Sequence, residues 1–411
     1  MAFVHNLTRL LRRSVSHQLV APVLNPFNLS SAVPKSRPFL RNVFRQITTH
    51  AQANTVEVNP ARAKAVGWWL GGCAGMAFGA VVLGGVTRLT ESGLSMVDWR
   101  LYGERPPLSQ EDWEREFSKY QQFPEYQIKN KGMTLEEFKF IWWMEYSHRM
   151  WGRLIGAAYF LPATYFWVKG FLTPSLKKRV VIFGGLLAFQ GLLGWYMVKS
   201  GLEAERFQGP SDVPRVSQYR LAAHLSSAFV FYSLLLWSSL GLLIPAQTVP
   251  WTKAATTVRR LAHTTKGFVF LTALSGAFVA GLDAGLVYNS FPKMGDRWIP
   301  DDLLALTPVY KNITENPTTA QFDHRIEGIT TLCLATATWF YARRATLPPR
   351  AYIAATALAA MAWTQASLGI LTLLTYVPTP LAASHQAGAL MTMSFAIWLT
   401  HELRFMKRVV K

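Results

Sequence analysis

The sequence predicts an all-α polytopic membrane protein, with eight transmembrane helices arranged as two four-helix bundles related by a pseudo-twofold axis. Three observations carry this prediction. Half of the 411 residues are hydrophobic and only 16% are charged. The apolar residues form long runs flanked by Lys and Arg, as in membrane-spanning chains. The landmarks of the first half recur in the same order in the second half, which indicates two parallel repeats with an axis along the membrane normal.

The first 50 residues are basic and contain no acidic side chain. Their basic residues are Arg9, Arg12, Arg13, Lys35, Arg37, Arg41 and Arg45. Together with its Ser and Leu content, this composition predicts a mitochondrial targeting peptide over residues 1–50. A disordered basic tail is the alternative. Most other basic residues flank membrane segments, so the net charge of +19 does not indicate nucleic acid as a partner.

The first predicted span follows a polar linker, residues 51–66. Residues 67–86 are uncharged, and 20 residues at about 1.5 Å each cross roughly 30 Å of hydrocarbon. Within the polar stretch 88–137, Ser109 to Asp112 resembles a capping box and predicts an amphipathic helix on the membrane face. A second cap at Thr134 to Glu137 begins the second span, which passes an aromatic belt and ends near Trp167.

The remaining predicted spans are residues 180–198, 221–244, 267–282, 325–342, 351–377 and 381–400. The N-terminal bundle is therefore residues 67–244 and the C-terminal bundle residues 267–403, with a linker at 245–266 and a basic tail at 404–411. Lys and Arg concentrate in the connections on one side of the membrane. The positive-inside rule then predicts both termini in the matrix and the long loops on the outer side.

Each half carries the same short motif around a histidine. Residues 145–149 (Glu, Tyr, Ser, His, Arg) recur as residues 321–325 (Gln, Phe, Asp, His, Arg). A second histidine, His224 or His385, follows on a later predicted helix of the same half. Two further pairs of segments match in order, 91–94 with 283–286 and 190–194 with 365–369.

The alternating helix directions place His148 and His224 at a similar depth in the outer half of the membrane, and likewise His324 and His385. Facing imidazoles in a four-helix bundle can supply both axial ligands of a haem iron, so two haem sites are predicted. One such histidine alone could simply hydrogen-bond a neighbour. A closed zinc site would need third and fourth ligands that each half lacks.

The chemical difference between the copies is Glu145 in the first half and Gln321 in the second. Glu145 precedes His148 by three residues, so their Cβ atoms are about 5–6 Å apart on one helix face. A carboxylate there suits proton transfer or the stabilisation of a cationic intermediate. The alternative is that Glu145 only orients His148. The sequence thus assigns chemistry to the first half and electron transfer to the second.

Three arginines, Arg149, Arg220 and Arg325, lie beside these histidines. An arginine at this depth needs an anion, and haem propionates would provide one, with lipid phosphate as the alternative. The two cysteines, Cys73 and Cys333, lie in different apolar runs. They predict no disulfide, zinc site or covalent haem attachment.

Three segments carry a resemblance to a known family: residues 145–153, residues 84–95, and residues 281–285 with 289–294. They closely resemble mitochondrial haem A synthase, and the likeness extends from the first span to the C-terminus. The resemblance implies an inner-membrane protein of eight helices in two repeats, with its haem sites toward the intermembrane space. It also implies oxidation of the C8 methyl group of haem O to a formyl group, which gives the haem A of cytochrome c oxidase.

The resemblance also implies roles for the site residues. His148 and His224 would bind the iron of the substrate haem O, His324 and His385 that of a resident haem b, and Glu145 would be the essential acid. Electrons would come from a ferredoxin and its reductase, and haem O from haem O synthase; homo-oligomerisation is left open. Bacterial relatives often carry a cysteine pair in the outer loops, which this chain lacks.

Three other functions compete with this one. A dihaem b-type cytochrome that exchanges electrons with quinol would hold two haems b tightly and make no haem A. A haem chaperone would hold one weak, exchangeable haem and tolerate Glu145→Gln. A transporter built from parallel repeats is the remaining option, but the paired histidines give it no obvious substrate path.

Overall fold

The computed structural model describes residues 59–203, 205 and 214–407. The predicted targeting peptide, residues 51–58 of the predicted linker and residues 408–411 of the predicted tail lie outside these ranges. Within them the chain is mostly helical. The longer helices are α1 (Pro60–Leu89), α2 (Gln110–Tyr120), α3 (Leu135–Val168), α4 (Pro174–Gly201), α5 (Gln218–Leu243), α6 (Lys253–Gly281), α7 (Pro317–Arg344), α8 (Pro349–Leu374) and α9 (Thr379–Glu402).

Short elements complete the described chain. Strands β1 (Val249–Pro250) and β2 (Met406–Lys407) pair in parallel and join the α5–α6 connection to the segment after α9. A π-helical turn (Glu125–Lys129) follows α2. The α6–α7 connection contains 3-10 turns at Ala284–Leu286, Asp301–Leu304 and Val309–Lys311 and a helical turn at Asn312–Glu315.

Five of these helices, α1, α4, α5, α6 and α8, are long and apolar enough to cross a membrane. The protein is therefore a polytopic helical membrane protein. The long helices α3, α7 and α9 contain the polar residues of the predicted site, among them Glu145, His148, His324 and His385. Those side chains lower the mean hydropathy of α3, α7 and α9.

Both predicted helix caps are confirmed. At α2, Ser109 Oγ accepts from the backbone N of Asp112 at 3.1 Å, and the Asp112 carboxylate accepts from the backbone N of Ser109 at 3.3 Å. At α3, Thr134 and Glu137 form the same reciprocal pair. Each capping box satisfies backbone donors that the first helical turn would leave unpaired.

Three helices begin seven or more residues before the start of the predicted span. α1 begins at Pro60 behind an Asn59 cap, so residues 60–66 of the predicted linker are helical. α6 begins at Lys253 behind Thr252, which makes much of the predicted 245–266 linker helical. α7 begins at Pro317, so His324 lies inside the helix and not at its entrance. The prediction failed because hydropathy detects only the apolar part of a helix, whereas capping side chains and helical propensity extend it into polar sequence.

The long helices pack mainly within each half. α1 contacts α3 and α5, and α4 contacts α3 and α5; in the second half α6, α7, α8 and α9 form a closed ring of neighbours. The halves meet where α5 contacts α6 and where α9 contacts α1 and α5. One hydrogen bond at this junction runs from Gln386, beside His385, to the carbonyl of Val81 in α1 at 2.8 Å.

The segments after α1 and α6 share a rare backbone conformation. Glu91 has φ 53° and Asp283 has φ 52°, both in the left-handed region that non-glycine residues seldom adopt. Asp283 accepts from Arg88 at 2.8 Å and from Arg215 at 3.0 Å, and so joins the second half to two segments of the first. The shared positive φ of Glu91 and Asp283 supports the sequence repeat. The ion pairs of Asp283 with Arg88 and Arg215 join the two halves near the ends of α1 and α6.

Candidate active site

The acid of the first half is buried and fully paired. Glu145, 2% exposed, lies one turn before His148 on α3. One carboxylate oxygen accepts from Ser95 Oγ and from the backbone N of Met96, both at 2.8 Å. The other accepts from Arg149 at 2.6 Å. These bonds offset the cost of burying the carboxylate and hold it in one position beside His148.

The amide of the second half lies at the equivalent position on α7. We call this arrangement a frame: a buried side chain one turn before the first histidine, bound by the arginine that follows that histidine. Gln321, also 2% exposed, accepts from Arg325 at 2.9 Å and donates to the carbonyl of Ala284 at 2.7 Å. Arg325 thus binds the side chain one turn before it, as Arg149 does. Glu145 and Gln321 therefore occupy equivalent positions and bind equivalent arginines. They differ in charge, since one is a carboxylate and the other an amide.

Arg149 and Arg325 also bind the loops that follow α1 and α6. Arg149 donates to the carbonyls of Met96 at 2.7 Å and Asp98 at 2.8 Å. Arg325 donates to the carbonyls of Tyr288 at 3.0 Å and Lys293 at 3.3 Å. Part of each guanidinium is therefore used by the protein itself.

Arg220 lies against an aromatic ring. Its guanidinium is over the ring of Tyr196, 4.7 Å from the centroid, and its buried Nη1, like Nε of Arg325, has no hydrogen-bond partner among the described residues. A buried, unpaired guanidinium nitrogen is costly and is the donor that an anionic ligand would satisfy. The corresponding position in the second half, four residues before His385, is Leu381.

Each of the four predicted ligands lies against a glycine of a neighbouring helix. A Cβ added to Gly84 would lie 2.8 Å from Cε1 of His148, and one added to Gly369 would lie 2.7 Å from Cε1 of His385. The corresponding distances are 3.3 Å for Gly194 and His224 and 3.1 Å for Gly276 and His324. The glycines leave the room that each imidazole occupies, in the same way in both halves. These contacts were not predicted from the sequence.

The histidine pairs fit an iron porphyrin held by two imidazoles. The ring centroids of His324 and His385 are 6.3 Å apart. Two imidazoles on opposite sides of one metal, with bonds of about 2 Å, would have centroids roughly 6 Å apart. The Nδ1 atoms of His148, His224 and His385 are buried without a hydrogen-bond partner among the described residues.

Two glutamines support the helices of the second ligands. Gln365 donates to the carbonyl of His385 at 2.7 Å, and Gln190 donates to the carbonyl of His224 at 3.2 Å. Both belong to the segments that the repeat had matched, 190–194 and 365–369. The matched sequence therefore reflects a shared contact with the ligand helix.

A second buried acid, Glu125, was not predicted as part of the site. It is 5% exposed and accepts from the Tyr120 hydroxyl at 2.9 Å, and Asn130 donates to that hydroxyl at 2.7 Å. Burial raises the pKa of Glu125 to about 8, against the hydrogen bond from Tyr120 and with a smaller contribution from the negative charge of Glu145. Nothing in its polar sequence context distinguished Glu125 from its exposed neighbours.

The fold and the site define a polytopic helical membrane protein with two pairs of histidines. One turn before the first histidine of each pair lies a carboxylate in one half, Glu145, and an amide in the other, Gln321. The family model described as cytochrome oxidase assembly protein matches residues 67–397. The chain belongs to this family, which includes the curated heme A synthases.

The relatives span animals, fungi and bacteria. Heme A synthase COX15 of Bos taurus is 60% identical over 370 residues, covering 90% of this chain and 89% of that protein. Heme A synthase COX15 of Saccharomyces cerevisiae is 40% identical, covering 93% and 82%. Heme A synthase of Nitrosospira multiformis is 46% identical, covering 83% and 94%.

Proposed function

We propose that this chain is a haem A synthase, which oxidises the C8 methyl group of haem O to a formyl group by successive hydroxylations. The observation that carries the proposal is the matched pair of frames: Glu145 beside His148 in one half, and Gln321 in the same place beside His324 in the other. The high identity to curated heme A synthases over most of the chain supports it.

The residues divide between substrate and cofactor. His148 and His224 hold haem O in the first half, and His324 and His385 hold a haem b in the second. The bound iron supplies one-electron redox chemistry, which the protein's side chains do not provide. The glycine facing each imidazole and the separation of the His324 and His385 rings support this assignment.

Glu145 places a negative charge beside the substrate. Ser95, Met96 and Arg149 fix the orientation of the carboxylate before the substrate binds. A preorganised charge of this kind stabilises positive charge that develops on the methyl carbon, or assists removal of a proton from it, without reorganisation during the reaction. Gln321 is uncharged, so the second half has no negative charge at the equivalent position.

We also propose an arrangement in the membrane, based on the repeat of the two halves. The eight long helices cross the mitochondrial inner membrane as two four-helix bundles related by a pseudo-twofold axis, with both termini in the matrix and the haem sites toward the intermembrane space. The matched turns at Glu91 and Asp283 support the repeat, and the basic connections support the orientation. Haem O synthase supplies the substrate, and a ferredoxin with its reductase supplies the electrons.

The test is the identity of the haems that the purified protein carries. The full chain is produced together with haem O synthase, and the extracted haems are identified by mass and optical spectrum. Haem A or its hydroxymethyl precursor, found together with haem B, is the expected result. Haem B alone, despite available haem O, would overturn the proposal in favour of a dihaem electron-transfer cytochrome. A single exchangeable haem would favour a chaperone.

Arg220→Leu introduces the residue type found at the equivalent position of the second half, Leu381. It is expected to weaken haem O binding about tenfold or more, because a propionate loses a charge-assisted hydrogen bond. The measurement is titration of the protein with haem O. Arg220→Lys retains a charge and is expected to lose less. Unchanged affinity in Arg220→Leu would contradict the role, and the haem b content is the internal control.

A further inference from the structure

One ligand histidine is held differently from the other three. Nδ1 of His324 lies 2.9 Å from Ser275 Oγ, and the same hydroxyl donates to the carbonyl of Thr272 at 3.0 Å. A serine hydroxyl has one proton. When that proton is directed at Thr272, Ser275 Oγ is the acceptor for Nδ1–H of His324. This tautomer leaves the Nε2 lone pair of His324 free for a metal ion.

The first half lacks this hydrogen bond. Gly276 faces His324 and Gly84 faces His148, so the two glycines occupy equivalent positions. The residue before each glycine is Ser275 in the second half but Leu83 in the first. A leucine side chain cannot accept a hydrogen bond, and the buried Nδ1 of His148 has no partner among the described residues.

The difference has a predictable effect on metal binding. An acceptor at Nδ1–H fixes the orientation of a ligand imidazole and makes its other nitrogen a stronger donor to iron. Removing such a partner typically lowers metal affinity about 10- to 100-fold. An imidazole whose buried N–H has no partner also keeps an uncompensated desolvation cost. His324 is therefore built to hold a haem more tightly than His148.

We propose that Ser275 is a positioning residue that makes the second-half haem a permanent cofactor, and that Leu83 keeps the first-half haem exchangeable. This inference rests on the proposed function, in which one haem remains bound and the other enters as substrate and leaves as product. The two sites share their glycines and ligands, and they differ in whether the residue before the glycine can support the ligand imidazole.

The test exchanges the two residues in the full chain. Ser275→Leu is expected to increase the rate of haem b loss to an excess of an apoprotein haem scavenger about 10- to 100-fold. It is also expected to raise the midpoint potential of that haem, because a weaker imidazole donor stabilises the ferric state less. Ser275→Thr keeps the hydroxyl and should resemble the wild type in both measurements.

Leu83→Ser is the reciprocal variant and replaces a larger side chain by a smaller one, which makes it a test even if Ser275→Leu does not fold. It is expected to slow the release of haem O to the same scavenger. The midpoint potential of haem b should not change, since the second-half site is untouched. Unchanged haem O release in a folded Leu83→Ser protein would overturn the first-half part of the proposal.

The outcomes separate this inference from the function on which it rests. Wild-type protein without a b-type haem would contradict the proposed function itself. A normal haem b whose loss rate and midpoint potential are the same in Ser275→Leu and the wild type would overturn the role of Ser275 while leaving the function standing. A shift shared equally by Ser275→Thr would also overturn it, because the hydroxyl would then not be the cause.

Discussion

Glu145→Gln is expected to lower haem A formation at least about 100-fold while both haem sites remain filled, since positioned acid–base groups contribute factors of this size. The substitution removes the charge and preserves the side-chain shape. Its fold is expected to survive because Gln321 already occupies the equivalent frame with an arginine partner. The measurement is the mass spectrum of extracted haems from protein produced with haem O synthase, alongside the optical spectrum of haem b.

A matched control exists in the second half. Adding Gln321→Glu to the Glu145→Gln protein moves the acid beside His324 and should not restore the product, because the acid would then lie beside the wrong haem. Haem A formation at the wild-type level in Glu145→Gln would remove the acid from the mechanism. Restoration by the double variant would show that the halves are interchangeable.

His324→Ala is expected to remove the resident haem and, with it, about half of the bound iron in a protein that holds one haem per half. Neither His385 nor Ser275 can replace the missing ligand, since His385 already binds from its own helix and Ser275 offers only a hydroxyl. Product formation should also stop, because the first half loses its electron supply. The measurements are the reduced-minus-oxidised spectrum of haem b and the haem O content of the same sample.

His263→Ala is the control for this experiment. His263 is an exposed histidine on α6 that belongs to neither pair, so its loss should leave the haem content unchanged. A normal b-type spectrum in His324→Ala would overturn the assignment of the resident haem to the second half. Loss of bound haem O with haem b retained would mean that the roles of the halves are reversed.

Much of the candidate site could be predicted from the sequence because its polar and charged residues stand out within long apolar segments. A histidine, an acid or an arginine within a long apolar segment is expensive, and its recurrence in a second copy makes chance placement hard to accept. The helix caps at Ser109 and Thr134 were predictable for a local reason, since each capping box joins residues only three positions apart.

The contacts that complete the site could not be predicted, because they join residues far apart in the chain. Ser95 lies 50 positions before the carboxylate it binds, and Ser275 lies 49 positions before His324. Nothing in a sequence of small residues distinguishes the glycine that faces an imidazole from one that faces lipid. The helix starts at Pro60 and Lys253 were also not predicted. A hydropathy pattern detects only the apolar part of a helix, whereas these two helices extend into polar sequence.

The membrane-spanning class, the repeat of motifs, the four histidines and the difference between Glu145 and Gln321 could all be predicted, because composition, periodicity and residue type are properties of the chain. The groups that restrain those residues became known from the packing of the helices. Among the described residues, Arg149 binds Glu145 and the loop after α1, Nη1 of Arg220 is left without a hydrogen-bond partner, and Ser275 lies 2.9 Å from Nδ1 of His324. The physical reason is that burial and hydrogen bonding depend on which helices meet, and packing sets those contacts.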